Sequence, residues 1–254
     1  MGGAPPRRAG WLGRTLSGLA VGLGCVLLLG GFVLAAVLYQ PYTVPTDSMA
    51  PSVAAGDRVL AQRIDGDEVR RGDVVVFEDD EWGPSLMLKR VVGIGGDTVA
   101  CCDDQGRLTV NGDPVAEPYV GGDSGASSVG FTVEVPEGEL FMLGDNRADS
   151  QDSRSLLTDT NTGSVPRDAV SGRVEAVVWP FGELGLLPRA TGFADQPGGV
   201  SGEGPLRPLF YATSAGAVLI LVGAAYGGMA HRASRPGRRG VRTSGVAHNE
   251  GTRG

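Results

Sequence analysis

The sequence predicts a mainly β fold, an antiparallel-sheet domain flanked by N-terminal and C-terminal transmembrane helices. Three observations lead there. Two long stretches, residues 15–40 and 208–230, are apolar and hold no charged residue. Between them lie short runs rich in β-branched residues, separated by Gly, Pro, Asn and Asp, the pattern of strands and turns. Strong helical periodicity is confined to the two apolar stretches.

The first stretch reads TLSGLAVGLGCVLLLGGFVLAAVLYQ. A helix needs about 20 predominantly apolar residues to cross a bilayer. Its apolar core exceeds the roughly 7–15 residues of a cleavable signal segment, so it reads as a retained anchor. The second, PLFYATSAGAVLILVGAAYGGMA, is richer in Gly and also long enough to span. The pairs Gly18/Gly22 and Gly223/Gly227 offer small faces for close helix packing. The expected organisation is a tail at residues 1–14, a span at 15–39, a β-rich domain at 40–189, a Gly/Pro-rich linker at 190–207, a second span at 208–230 and a basic tail at 231–254.

Charge sets the orientation. Arg7, Arg8 and Arg14 precede the first span, and six arginines against Glu250 follow the second. The positive-inside rule then places both tails in the cytoplasm and the domain outside. Residues 41–207 hold 28 Asp and Glu against 13 Lys and Arg, a net of −15, so the overall −7 averages unlike parts. An outer domain this acidic argues against nucleic acid as a partner. The basic tail is a topology signal and a contact for anionic lipid of the bilayer.

Within the domain, GDVVVF (72–77) and SLMLKRVVGI (85–94) read as strands. GRLTVNGDPV (106–115) carries Asn111-Gly112, a type I′ hairpin signal. FTVEVPEGELFML (131–143) alternates and breaks at 136–138, and GRVEAVVWPF (172–181) closes the set. GGDSGASSVG (121–130) is a surface loop by composition. Cys25 sits in the first span as a small apolar residue. Cys101 and Cys102 are neighbours in a compartment where disulfides form. Free thiols, a vicinal disulfide and an intermolecular bond are all open. No further ligand stands at metal spacing, and neither a metal nor another cofactor is expected.

The chemistry is narrowed by what is missing. The two histidines, His231 and His248, both fall in the expected cytoplasmic tail. A Ser-His-Asp triad is therefore absent from the domain, and a hydrolytic base there must be a carboxylate, a lysine or an N-terminal amine. Of 22 basic residues only Lys89 is a lysine. On a strand it shares a face with Met87 and Val91. Such apolar neighbours desolvate an amine and favour its neutral, basic form, which arginine cannot reach. From the pattern alone, a strand lysine reaching out to water is the alternative. Ser48 lies in YTVPTDSMAPSV (42–53), framed by Pro45 and Pro51, where a turn can present a hydroxyl. GDNRADSQDSR (144–154) is dense in short polar side chains and follows an apolar strand.

Taken together these segments resemble bacterial type I signal peptidases, membrane-anchored Ser-Lys endopeptidases that cut signal peptides from exported proteins. VPTDSMAPSV resembles the nucleophile box, RGDVVVF the following strand box, KRVVGIGGD the base box and GDNRADSQDSR the last box. GSVPRDAVSGR and WPF fit the usual end of the domain, so the resemblance runs from the first span to Phe181. It implies a peptidase domain in the bacterial plasma membrane, on its extracytoplasmic face, acting on preprotein signal peptides. Ser48 is implied as nucleophile and Lys89 as general base. Thr46 is implied as an oxyanion donor and Ser150 as the hydroxyl that orients the lysine. Asp152 with Arg154 and Asp145 with Arg90 are implied as structural pairs beside the site. Val44 and Leu88 are implied to line shallow pockets for small residues at −1 and −3 from the cut. A translocon contact is compatible with this placement, and nothing in the sequence points to one.

The chain departs from the family pattern in three places. Asp47 stands where glycine is usual, Gly95 where proline is frequent, and Ala148 where an acid is usual. Three other readings compete: a self-cleaving repressor-type protein of the same fold, a membrane-anchored thiol or binding module centred on Cys101-Cys102, and a catalytically inactive paralogue. Two spans and no DNA-binding segment disfavour the first.

Overall fold

The computed structural model describes residues 8–121, 125–159 and 161–233. The chain divides into two compact units, and the described part of one comprises residues 8–31 and 211–233. It holds most of two long helices, α1 (Arg8–Leu38) and α2 (Leu206–Ala233). Each contains a 24-residue apolar segment, Thr15–Leu38 and Leu206–Met229. Such segments form helices because lipid offers no partner to a bare amide or carbonyl.

Within this unit the helices approach closely at Gly24, where a Cβ would lie 2.7 Å from the Gly216 carbonyl oxygen. Ser17 donates its hydroxyl to the Gly223 carbonyl at 2.7 Å. Gly18 and Gly22, expected to form the packing face, have no neighbour within 4 Å of a Cβ. They lie six and two residues from Gly24 on a helix of about 3.6 residues per turn, so they point to other sides. His231 lies in the last turn of α2, so the helix continues past the expected tail boundary. His248 and the tail arginines from 235 onward lie outside the described residues.

The second unit, Phe32–Phe210, is the β domain. Its strands are β1 (Tyr39–Thr43), β2 (Arg58–Gln62), β3 (Val74–Asp79), β4 (Gly83–Ile94), β5 (Thr98–Cys101), β6 (Leu108–Val110), β7 (Asp113–Pro114), β8 (Phe131–Glu134), β9 (Glu139–Leu143), β10 (Val165–Pro166), β11 (Val170–Trp179) and β12 (Gly185–Leu186). Among the described residues they form one sheet in the order β1-β2-β11-β3-β4-β9-β10, with β12 on β11, and a second in the order β7-β6-β5-β8. The pairings are antiparallel throughout. The Asn111-Gly112 turn joins β6 to β7, with φ of 56° and 87° as a type I′ turn requires.

Alternation along β3 covers both faces of the large sheet. Val74 and Val76 pack with Val44, Met49 and Leu88, whereas Val75 and Phe77 pack with Val91, Leu140 and Met142. A third cluster joins the two sheets through Val92, Phe141, Val99 and Phe131. Cys101, at the end of β5, belongs to it and is disulfide-bonded to Cys102.

Residues 190–207, expected as a linker, are packed against the domain. Phe193 is 0% exposed and sits with Ala190 in the third cluster. Arg71 donates to the Pro197 carbonyl and Ser201 to the Asp73 carboxylate. One buried aromatic and two polar ties outweigh a Gly/Pro-rich composition. At Gly95 a Cβ would lie 2.9 Å from the Gly138 amide, so this chain keeps a close backbone approach there.

Candidate active site

After β1 the chain makes a single 3-10 turn, Asp47–Met49, bracketed by Pro45 and Pro51. Met49 is fully buried and anchors the turn beside Val44 and Val53. The Asp47 carboxylate, the departure from the family's glycine, accepts the Ala55 amide at 2.8 Å and ties the following loop to the turn. From the opposite side Asn146 donates its amide to the Ser48 carbonyl at 3.1 Å and its Nδ2 to the Asp47 carbonyl at 3.2 Å. Gly144 lies against this contact, and a Cβ there would collide with the Ser48 carbonyl and the Ser150 hydroxyl. Ser48 is 9% exposed.

Lys89 sits on β4 opposite Val75 and is 4% exposed. Its Nζ lies 2.9 Å from Ser48 Oγ, within hydrogen-bonding distance. Burial pushes the amine below its ordinary pKa, and the charges of Asp152 and Asp145 oppose that shift without cancelling it. Both carboxylates have guanidinium partners, which weakens their pull on the lysine. Arg90 clasps Asp145 through Nε at 2.8 Å and Nη2 at 2.6 Å. Arg154 clasps Asp152 through Nε at 2.8 Å and Nη2 at 2.7 Å. Arg90 also donates to the Gly72 carbonyl at 2.9 Å and lies 3.8 Å from the centre of the Tyr119 ring.

Gly144 is held from both directions. Its amide donates to Asp152 at 3.0 Å and its carbonyl accepts from Arg147 at 3.0 Å. Arg147 in turn forms a buried ion pair with Glu117. Neither Asn146 nor the Glu117–Arg147 pair stood out in the sequence. Both lie within or opposite the last polar box, but a partner 30 residues away leaves no local signal.

Thr46 Oγ1 lies 3.2 Å from Ser48 Oγ and donates to it. Ser150 departs from its expected role. Its Oγ is buried and has no hydrogen-bond partner among the described residues, Lys89 included. The hydroxyl faces the Gly144 backbone instead, at a spot only a glycine leaves open.

A cleft of about 400 Å³ opens beside Ser48 and Lys89, with Val44 and Leu88 in its walls and Trp82 and Leu156 farther along. β9 pairs with β4 only from Arg90 to Ile94, so residues 83–89 have no strand partner on that edge among the described residues, and 85–89 line the cleft. Such an edge can take up an extended peptide as an added strand. Among the described residues no group of three His, Cys, Asp or Glu is placed to hold a metal ion.

A model of the family described as signal peptidase, peptidase S26, matches residues 17–179. A probable signal peptidase I of Mycobacterium leprae is 30% identical, over 68% of this chain and 78% of that protein. Signal peptidase I of Bacillus licheniformis is 38% identical, over 59% of this chain and 81% of that protein. A solved signal peptidase I from Enterococcus faecalis V583 is 30% identical and covers 41% of this chain and 94% of its own, with a TM-score of 0.34. The family match takes in the Ser48 turn, β4 and the loop after β9, and the chain belongs to the signal peptidase family, peptidase S26, a family of serine endopeptidases.

Proposed function

We propose that this chain removes N-terminal signal peptides from exported preproteins, with Ser48 as nucleophile and Lys89 as general base. One observation carries the reading: a buried lysine amine approaches a serine hydroxyl to 2.9 Å. The sequence between residues 40 and 207 contains no histidine to compete for the role of base.

Neutral Lys89 takes the Ser48 proton as Oγ attacks the scissile carbonyl. The charge that develops on the carbonyl oxygen is met by the Ser48 amide and the Thr46 hydroxyl. The Lys89 ammonium then protonates the departing amine as the peptide bond breaks, leaving an ester on Ser48. Water attacks that ester, Lys89 accepts its proton, and the proton returns to Ser48 Oγ as the acid is released. The Arg90–Asp145 and Arg154–Asp152 pairs brace the base strand and the loop behind Lys89, without touching the reacting atoms.

The substrate lies along the free edge of residues 83–89, with small side chains at −1 and −3 against Val44 and Leu88. On this reading both termini lie in the cytoplasm and the cleft on the extracytoplasmic face of the bacterial plasma membrane, and the arginines outside the two spans support it. The substrate's own apolar segment stays in the bilayer while its cleavage site meets the cleft.

The test is cleavage of a preprotein by the purified full-length protein in detergent, with the new N-terminus read by mass spectrometry. A cut after a small-x-small sequence, absent with Ser48→Ala, is expected. No cut by the wild type, or a cut that survives Ser48→Ala, refutes the reading.

A further inference from the structure

The domain is strongly acidic, so a place within it where arginines outnumber carboxylates stands out. A second cavity, of about 370 Å³, lies between β11 and the segment that returns to α2. Its size falls within the range of small-ligand sites, about 300–1,000 Å³. It shares no lining residue with the catalytic cleft. Five arginines line it against three carboxylates, in a domain that holds 28 acidic and 13 basic residues between positions 41 and 207.

Three of these arginines are already matched: Arg71 by Asp97, Arg90 by Asp145 and Arg207 by Glu203. Arg189 is not, and Arg173 has only distant carboxylate partners. The Arg189 side chain forms no hydrogen bond or ion pair among the described residues. Arg173 makes one side-chain hydrogen bond, 2.8 Å to Gln62 Oε1. Its carboxylate neighbours are loose, Asp73 at 3.9 Å and Glu175 at 3.5 Å. Asp73 is occupied elsewhere, accepting from the Ser201 hydroxyl at 2.7 Å and the Arg70 amide at 2.9 Å. Burial also holds its carboxyl above the ordinary range, which weakens it as a counter-ion. A guanidinium carries five N–H donors in a planar fork, so Arg173 and Arg189 leave most of theirs unanswered. The cavity wall is open at Gly202, where a Cβ would meet nothing within 4 Å.

The location adds the chemistry of the partner. The cavity wall continues into Leu206 and Arg207, and Leu206 is the first residue of the apolar segment Leu206–Met229. Chain continuity alone brings that wall to the depth of the lipid phosphates. We infer that this cavity binds the phosphate-bearing headgroup of an anionic phospholipid, with Arg173 and Arg189 donating to the phosphate oxygens. Arginine forks match phosphate geometry in pairs of parallel hydrogen bonds. The inference requires residues 206–229 to enter a bilayer, and it is independent of the Ser48–Lys89 chemistry.

Native mass spectrometry of the full-length protein in neutral detergent tests it. Phosphatidylglycerol, phosphatidylcholine and inorganic phosphate are titrated separately into wild type, Arg189→Gln and Arg173→Gln/Arg189→Gln. The basic tail is common to all three, so differences between them report on the cavity. The exposed, unpaired Arg189 makes its single variant safe for folding, and a circular-dichroism spectrum and melting temperature unchanged in all three show that each is folded. The wild type is expected to retain phosphatidylglycerol over phosphatidylcholine. The single variant is expected to weaken that retention several-fold and the double variant by about tenfold or more. Equal retention by wild type and both variants overturns the site. Equal retention of the two lipids overturns the headgroup assignment. Binding of inorganic phosphate with no preference for phosphatidylglycerol overturns the lipid as its source.

Discussion

Lys89 Nζ and Ser48 Oγ lie 2.9 Å apart although 41 residues separate them, and different elements hold each one. Lys89 is fixed by the pairing of β4 with β3, and Ser48 by a turn stapled to the loop after β9. If this contact is the proton path, Lys89→Arg keeps a charge and loses the base. Peptide cleavage by Lys89→Arg or Ser48→Ala is expected to fall by about 10²–10⁴-fold or more, the range for loss of a general base. Steady-state assays at matched protein concentration check this, and appreciable turnover by Lys89→Arg contradicts the assignment.

The same burial that makes Lys89 a base makes it a liability to the fold. Its pKa is lowered from 10.5. Between the lowered value and 10.5, the unfolded chain holds a proton that the folded chain has released, so stability rises with pH across that window. Below the window the full cost of a buried ammonium remains. Lys89→Met removes the cost, so this variant is expected to melt above wild type, with the widest gap at acid pH and convergence toward pH 10.5. Thermal unfolding at a series of pH values reads the gap, and a variant less stable at every pH contradicts the account.

Arg90 and Asp145 form a fully buried pair, 2% and 0% exposed. Asp145→Ala leaves a guanidinium without its counter-ion, a loss of about 3–5 kcal/mol for pairs of this kind. Arg90→Met/Asp145→Leu removes both charges and is expected to recover much of that stability. Chemical denaturation of Arg90→Met, Asp145→Leu and the double variant measures the coupling, and additive losses contradict it.

Thr46 is placed to act on the reaction rather than on the fold, since it is exposed and its hydroxyl reaches Ser48 Oγ at 3.2 Å. Thr46→Val is expected to lower kcat by about 10²–10³-fold with little change in KM, as loss of one oxyanion donor does. Thr46→Ser is expected to stay active. A fall in KM affinity with kcat intact places the hydroxyl in substrate binding instead.

Much of the site was legible in the sequence because its chemistry is written in rare residues. A single lysine on an apolar strand, a serine between prolines and a polar box after a strand each leave a local mark. Ser150 shows the limit of that reading: its place in the box implied a contact with Lys89, but its hydroxyl faces Gly144 and has no hydrogen-bond partner among the described residues. β1 and β2 went unread because YQPYT and RVLAQ mix proline and charge into five-residue strands. They become strands because β1 pairs with β2 and β2 with β11, a contact between distant segments. Residues 190–207 misled for the opposite reason, since Phe193 among glycines and prolines decides where that segment packs.

The most direct test of the central claim uses the fact that Lys89 is the only lysine in the chain. Full-length protein labelled with ¹³C-lysine yields one side-chain ε resonance, and its shift followed against pH gives the ionisation of that amine alone. A midpoint below 10.5, moving toward 10.5 when the protein is unfolded, is the predicted result. A midpoint at or above 10.5 in the folded protein means that Lys89 is an ordinary buried cation and cannot be the base that activates Ser48.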